Sequence, residues 1–271
     1  MRDILLVLGM LAAALGLRAF GHPWLRKAGA LLLLVATYVA AWTWTDSHVG
    51  GLVAVTGWFF LPWLEILTRV RRLRLPLDKA LKSAFPPSSE RFPQLHQMTG
   101  ELEAEGFEQV DDTSFEWDGA RQFMRLFYHP AERTQAAISL LEQGEMALAW
   151  VSLASRTPDD RTWTTWNYPF SQTMKLPPET HLQAVLEAGS FAGLLDQHRV
   201  FLEKSALTPD DLAAQDPDGF AELIRRETRR QVDHNLDQGL IKLSGEGTFC
   251  YSWRGYLFLW RQFLRDMVRL S

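Results

Sequence analysis

The sequence predicts an α+β protein: amino-terminal transmembrane helices, then a cytoplasmic antiparallel sheet flanked by helices, then an amphipathic carboxyl-terminal helix. Three observations lead there. The first seventy residues hold three apolar stretches, residues 4–17, 28–44 and 49–67, closed by Arg69, Arg71, Arg72 and Arg74. Between Phe107 and Tyr168, extended runs alternate with turn residues. The last twenty residues carry tryptophans and arginines at helical spacing.

A helix rises about 1.5 Å per residue and the hydrocarbon core is roughly 30 Å thick, so crossing takes about 17–25 mostly apolar residues. Residues 28–44 meet this without a charge, and residues 49–67 meet it with one acid, Glu65, near the exit. Pro62 frees a carbonyl in the second of these helices. Gly50, Gly51, Ala54 and Gly57 offer small surfaces for close helix approach. The short polar link over residues 45–48 makes the pair an antiparallel hairpin. Residues 4–17 are short for a span; extension to residue 20 brings in Arg18, which can snorkel to the interface. Two readings of this stretch stay open, a third span and a cleaved signal peptide, and Arg2 beside Asp3 is a poor positive flank for the latter.

Lysines and arginines in the short flanks orient the chain. Arg18, Arg26 and Lys27 follow the first stretch, none lies between the second and third, and Arg69, Arg71, Arg72, Arg74, Lys79 and Lys82 follow the third. The amino terminus is therefore expected outside and the large remainder in the cytoplasm, at the cell (inner) membrane. Four parts are expected: a membrane domain over residues 1–68, a basic juxtamembrane segment and linker over 69–93, an α+β domain over 94–253 and an amphipathic helix over 254–271. The linker reading rests on Pro76, Pro86, Pro87 and Pro93.

Within the α+β part, Leu95, Met98 and Leu102 set a helix over residues 94–105 that Gly106 stops. Extended runs follow at 107–110, 122–128, 134–142, 146–155 and 162–168, bounded by Asp111-Asp112, His129-Pro130, Gln143-Gly144 and Pro158-Asp159-Asp160. Their connections are too short for parallel crossovers, so an antiparallel meander is expected. Phe123 and Phe127 alternate with Met124, Leu126 and Tyr128, which calls for cover on both faces. Ser190 caps a helix over 191–204, and Asp216-Pro217 opens one over 218–237. The middle of the latter, Arg225, Arg226, Glu227, Arg229 and Arg230, is charged and solvated. Residues 240–243 and 248–253 form a hairpin around 245–247.

In the last helix Trp253, Tyr256, Leu257, Trp260, Phe263, Leu264 and Met267 share one side, and Arg254, Arg261, Arg265 and Arg269 an opposite arc. Such a helix can lie in the interface of an anionic leaflet, or it can pack its stripe on the sheet with the arginines in water. Arg69, Arg71, Arg72, Arg74, Trp253, Trp260, Arg254, Arg261 and Arg265 are the expected lipid-contacting residues.

The chain is mute about catalysis. With 271 residues and a net charge of −4, it has an acidic body that disfavours nucleic acid as a partner. One cysteine, Cys250, excludes an internal disulfide and a cysteine metal cage. Signature motifs of hydrolases, zinc proteases and nucleotide binders are missing, and the histidines fall at no metal-ligand spacing. No catalytic residue, cofactor or metal ligand is assigned, and His198, on the apolar stripe of its helix, reads as a hydrogen-bonded core histidine. The Asp111-Asp112, Asp159-Asp160 and Asp210-Asp211 pairs read as turn and helix-start residues. One strand face joins Trp163, Thr165 and Asn167, a candidate ligand-binding set; the competing reading is the packing of a half-buried strand.

Thr164, Thr165, Pro169, Pro177, Pro178, Leu195, His198 and Arg199 carry a likeness. The chain resembles a set of uncharacterised bacterial integral membrane proteins with short amino-terminal spans and a cytoplasmic α+β domain. The resemblance implies an architecture and no activity.

Three function classes follow. The leading one is a non-enzymatic membrane-anchored protein whose cytoplasmic domain binds a protein partner or organises a membrane complex. The second is a small-ligand sensor or enzyme with a site near residues 163–168. The third is a membrane-tethered nucleic-acid binder with a winged-helix-like carboxyl-terminal part, weakened by the acids among its arginines.

Overall fold

The structure, a computed structural model, describes residues 2–20, 22–245 and 247–270. Glu246, expected at the tip of the last hairpin, lies outside the described residues. The chain divides into two compact units.

The helical unit takes the chain as far as Arg72, together with Ser171–Thr173 and the stretch from Trp253. Its first helices are α1 (Arg2–Ala19), α2 (Pro23–Thr45) and α3 (His48–Thr68). Among the described residues two helices are long and apolar enough to cross a membrane, over Trp24–Thr45 and His48–Arg72. The stretch read as a third span is helical, but it carries Asp3 in its first turn and Arg18 in its last and is not one of these two.

Asp46, at φ 50°, turns the chain between α2 and α3. Small residues set how closely the helices approach. A Cβ on Gly51 would lie 2.7 Å from the Tyr38 ring, and one on Gly29 would lie 2.7 Å from the Ala14 carbonyl oxygen. Open space surrounds Gly57, so only part of the small-residue stripe is used. At the hairpin turn the Tyr38 hydroxyl and His48 Nδ1 are 2.7 Å apart, and Trp42 stacks on the His48 ring.

The second unit, Leu73–Phe170 and Met174–Ser252, is a mixed α+β body. It holds strands β1 (Leu75–Pro76), β2 (Lys82–Ser83), helix α4 (Leu95–Ala104), strands β3 (Glu108–Trp117), β4 (Ala120–His129), β5 (Thr134–Gln143), β6 (Met146–Arg156), β7 (Thr162–Trp166) and β8 (Thr180–Ala184), helices α5 (Phe191–Lys204) and α6 (Phe220–Asp237), and strands β9 (Ile241–Leu243) and β10 (Thr248–Tyr251). The last helix of the chain, α7 (Trp253–Leu270), returns to the helical unit.

Seven strands form one sheet in the order β2-β3-β4-β5-β6-β7-β8, and β1-β10-β9 form a second. All neighbours are antiparallel except β7 and β8. The parallel pair departs from the expected meander, and its connection, residues 167–179, has the length that a parallel return needs. Both β8 and the two short strands β1 and β2 escape a reading by hydrophobic runs because so few residues carry each.

Residues 75–93, expected as a linker, are partly built into the fold. Leu75 and Pro76 pair with Phe249 and Thr248, Lys82 and Ser83 pair with Ser114 and Thr113, and Phe92 is buried in the core. The Asp111-Asp112 pair was expected at a turn; instead β3 runs straight through it, with a bulge between Gln109 and Asp111. The physical reason is Arg125 on the paired strand, which donates to both Asp112 oxygens at 2.9 and 2.8 Å and to Thr99 Oγ1 at 3.1 Å. The real turn is Asp118-Gly119, both residues at positive φ, the signature of a two-residue hairpin loop.

The main core lies between one face of the large sheet and helices α4 and α5: Phe123, Phe127, Ile138, Leu140, Val151 and Leu153 meet Leu95, Leu102, Leu194 and Leu195. On the opposite face Phe220 and Ile224 of α6 cover Met124, Leu126 and Tyr128. Gly106 ends α4 at φ 88°, where a Cβ would also come within 3.0 Å of His129 Nε2. Ser190 Oγ caps α5 by accepting from the Gly193 amide. Asp216 Oδ1 accepts from the Asp218 amide, and Pro217 opens a short 3-10 turn that leads into α6.

Candidate functional site

The strand face bearing Trp163, Thr165 and Asn167 is filled from within. Trp163 donates through Nε1 to Ser205 Oγ at 3.0 Å, stacks on His181, and packs against Leu202 and Leu212. Asn167 bridges back to β6: its Oδ1 accepts from the Val151 backbone amide at 2.7 Å and its own backbone N–H donates to the Val151 carbonyl at 3.1 Å. Thr165 is fully buried and reaches His198. Trp163 Nε1, Thr165 Oγ1 and Asn167 Oδ1 each have a partner inside the domain, and none of the three residues lines the acidic and basic surface concavities of this body.

His198 lies at the centre of a buried chain. Thr134 Oγ1 donates to the Glu132 carbonyl at 3.1 Å and sits 2.8 Å from Ser155 Oγ. Ser155 Oγ is 3.0 Å from His198 Nε2, and His198 Nδ1 is 2.9 Å from Thr165 Oγ1. A hydroxyl has one proton to give. With the Thr134 proton on Glu132, Ser155 donates to Thr134, Nε2–H donates to Ser155, and Thr165 donates to Nδ1. The ring is therefore neutral, and desolvation lowers its pKa to about 4. A serine beside a histidine invites comparison with a nucleophile and its base. All four side chains are 0 % exposed, so no substrate reaches them. The chain is structural.

The arginines of α6 are neutralised in place. Arg225 pairs with Glu222, Arg229 with Asp233 and Asp78, and Arg226 and Arg230 with Asp160. Buried Arg156 lies against Glu227, which also accepts from Thr162. Five arginines thus face five carboxylates. The Arg230 guanidinium holds the Asp160 carboxyl below the usual carboxylate range. Asp159-Asp160 does sit at a turn, but its second member is also the anchor of this network. A concavity of about 600 Å³ beside it is lined by Asp159, Asp160, Glu179, Asp233 and Asp237 with Arg230 and His234. A strip paired in this way, with an acidic hollow at its side, is a poor phosphate track.

The helical unit has a different character. Trp260 Nε1 donates to the Phe59 carbonyl at 2.8 Å, one residue along from the carbonyl that Pro62 deprives of its donor. Trp63 meets both Trp253 and Trp260, with centroids at 5.3 and 6.4 Å, and Phe60 stacks on Trp260. So α7 rests on α3. Asp266, buried and the one acid of α7, accepts from the Ser171 amide at 3.0 and 2.9 Å, from Ser171 Oγ at 2.6 Å and from Arg269 Nη2 at 2.8 Å. Sequence reasoning missed this latch; the signal was a lone acid among arginines.

Viewed down its axis at roughly 100° per residue, α7 has three arcs. Gly255, Leu259 and Asp266 form a buried one. Trp253, Leu257, Met267 and Val268 form an exposed apolar one. Arg254, Arg261 and Arg265 form an exposed cationic one. Among the described residues no carboxylate pairs with these three arginines, in contrast to those of α6. Arg69, Arg71, Arg72 and Arg74 are exposed beyond the end of α3, and Arg69 reaches back to Glu65 at 3.3 Å.

Fold and site together define a class: a helical unit rich in exposed apolar surface joined to an α+β body in which His198, Trp163 and the α6 arginines are engaged internally. No family model, no curated protein and no solved structure matches the chain.

Proposed function

We propose that this chain is a multi-pass membrane protein whose α+β body lies in the cytoplasm, where it binds a protein partner or organises a membrane complex without catalysing a reaction. The observation that carries the reading is the apolar exterior of α2 and α3, where Leu31, Val35, Leu52, Val53 and Leu64 are exposed. That surface is costly in water at about 25 cal/mol per Å² and costs nothing in lipid. The arginines that follow α3, set against a link between α2 and α3 that has none, support a cytoplasmic body. The internal engagement of His198, Thr165, Asn167 and the α6 arginines supports a binding role over chemistry. Kinship with the uncharacterised bacterial membrane proteins that the sequence resembles is part of the same proposal and assigns no activity.

Two measurements test this. The full chain is expected to stay in the pellet after alkaline carbonate washing, and a carboxyl-terminal green fluorescent reporter is expected to glow while an alkaline phosphatase fusion stays silent. Crosslinking in native membranes before detergent extraction is expected to recover a stoichiometric protein partner. A soluble chain, an active phosphatase fusion or an uncrosslinked monomer would each count against the corresponding part.

A further inference from the structure

We infer that α7 is a lipid-binding element: its exposed apolar arc enters the acyl boundary of an anionic leaflet while Arg254, Arg261 and Arg265 hold phospholipid headgroup phosphates. The inference rests on the spanning reading of α2 and α3 and adds a second, chemically selective contact.

Three observations within the helical unit carry it. First, α7 is bonded to a helix apolar enough to cross a bilayer. The contacts at Phe59, Phe60 and Trp63 lie five to nine residues before the end of α3, about 8–13 Å along its axis. Measured from the end of α3, that range overlaps the roughly 5–10 Å to which interfacial helices bury their apolar faces. Second, the arc that α7 leaves exposed is apolar. Trp253 is 62 % and Val268 68 % exposed, whereas the polar Asp266 is turned inward. A helix docked for water would do the reverse. Third, the adjacent arc holds three arginines that have no carboxylate partner among the described residues, although all four arginines of α6 are paired. Guanidinium groups bind phosphate oxygens in a fork, which suits lipid headgroups. Trp253, at the first position of α7, suits the headgroup layer as well.

The test uses the full chain in lipid nanodiscs. In a Cys250→Ala background, single cysteines at Leu257, Val268, Arg261 and Leu61 carry nitroxide labels. Accessibility is compared between oxygen, which concentrates in lipid, and a nickel chelate, which stays in water. In phosphatidylglycerol-containing discs the labels at 257 and 268 are expected to favour oxygen several-fold over nickel, as the α3 label at 61 does, with the label at 261 favouring nickel. Replacing Arg254, Arg261 and Arg265 by glutamine is expected to lift the 257 and 268 labels towards water, as is exchanging the lipid for pure phosphatidylcholine. Nickel-exposed labels at 257 and 268 beside a lipid-exposed label at 61 would overturn the inference and leave the spanning helices standing. A nickel-exposed label at 61 would overturn both. Lipid-exposed α7 labels indifferent to headgroup charge would overturn the assignment of phosphate binding to the arginines.

Discussion

His198 shows how burial turns a titratable group into a structural one. Its ring is faced by the hydroxyls of Ser155 and Thr165, and no charge compensates a proton there. Above pH 6.5 the ring is neutral in both states. Between pH 6.5 and about 4 only the unfolded chain takes up the proton, so stability falls as the pH falls, by roughly 3 kcal/mol across that window. Urea titrations of the detergent-solubilised chain at several pH values should show this slope. His198→Phe should be less stable at pH 7, by about 1–3 kcal/mol for the stranded hydroxyls. The same variant should lack the His198 part of the acid slope; an unchanged slope would refute the buried neutral ring.

Arg125 and Asp112 give the second residue-scale expectation. Their side chains are 14 % and 16 % exposed, so removing one leaves a desolvated charge. Asp112→Ala should cost roughly 3–5 kcal/mol, and Asp112→Leu combined with Arg125→Met should recover most of that. The check is a double-mutant cycle by chemical denaturation.

At the scale of elements, helix packing in the amino-terminal unit should hinge on glycine position. Gly51→Leu would push a side chain into the Tyr38 ring, whereas Gly57→Leu enters open space. Thermal unfolding in detergent should therefore drop sharply for the first and hold for the second; equal effects would contradict the packing of α2 on α3.

Long periodic segments were legible in the sequence. The helices α2 and α3 follow from the length of their apolar runs, α5 from its apolar stripe and the Ser190 cap, α6 from the Asp216-Pro217 start, and the strands β4 to β7 from extended runs bounded by turn residues. What stayed hidden depends on partners far along the chain. Asp111-Asp112 looks like a turn until Arg125 is set opposite it. Asp118-Gly119 was a readable hairpin signal that went unused. The strand β8 is too short to announce itself, and its parallel pairing depends on the length of a loop. Thr165 and Asn167 looked free because their partners, His198 and Val151, sit on other elements. The resting place of α7 was similarly unreadable, since its stripe suits sheet, lipid and α3 alike.

At the scale of the whole molecule, charge pairing sorts the arginines by role. Those of α6 stabilise the body and should be weak in any salt-dependent binding assay. A gel-shift titration with duplex DNA at low salt is expected to show no complex, and a steep salt slope would reopen the nucleic-acid reading. Among the described residues Arg254, Arg261 and Arg265 of α7 have no carboxylate partner and stand exposed to an external anion.

The ends of the α+β body have a consequence of their own. Its chain starts at Leu73 and stops at Ser252, and β1 and β10, just inside those ends, are hydrogen-bonded neighbours. Entry and exit therefore stand side by side, like the two feet of a handle. A protease that nicks the Asp118-Gly119 loop leaves each half still fastened by one foot, so liberating a fragment requires a second cut.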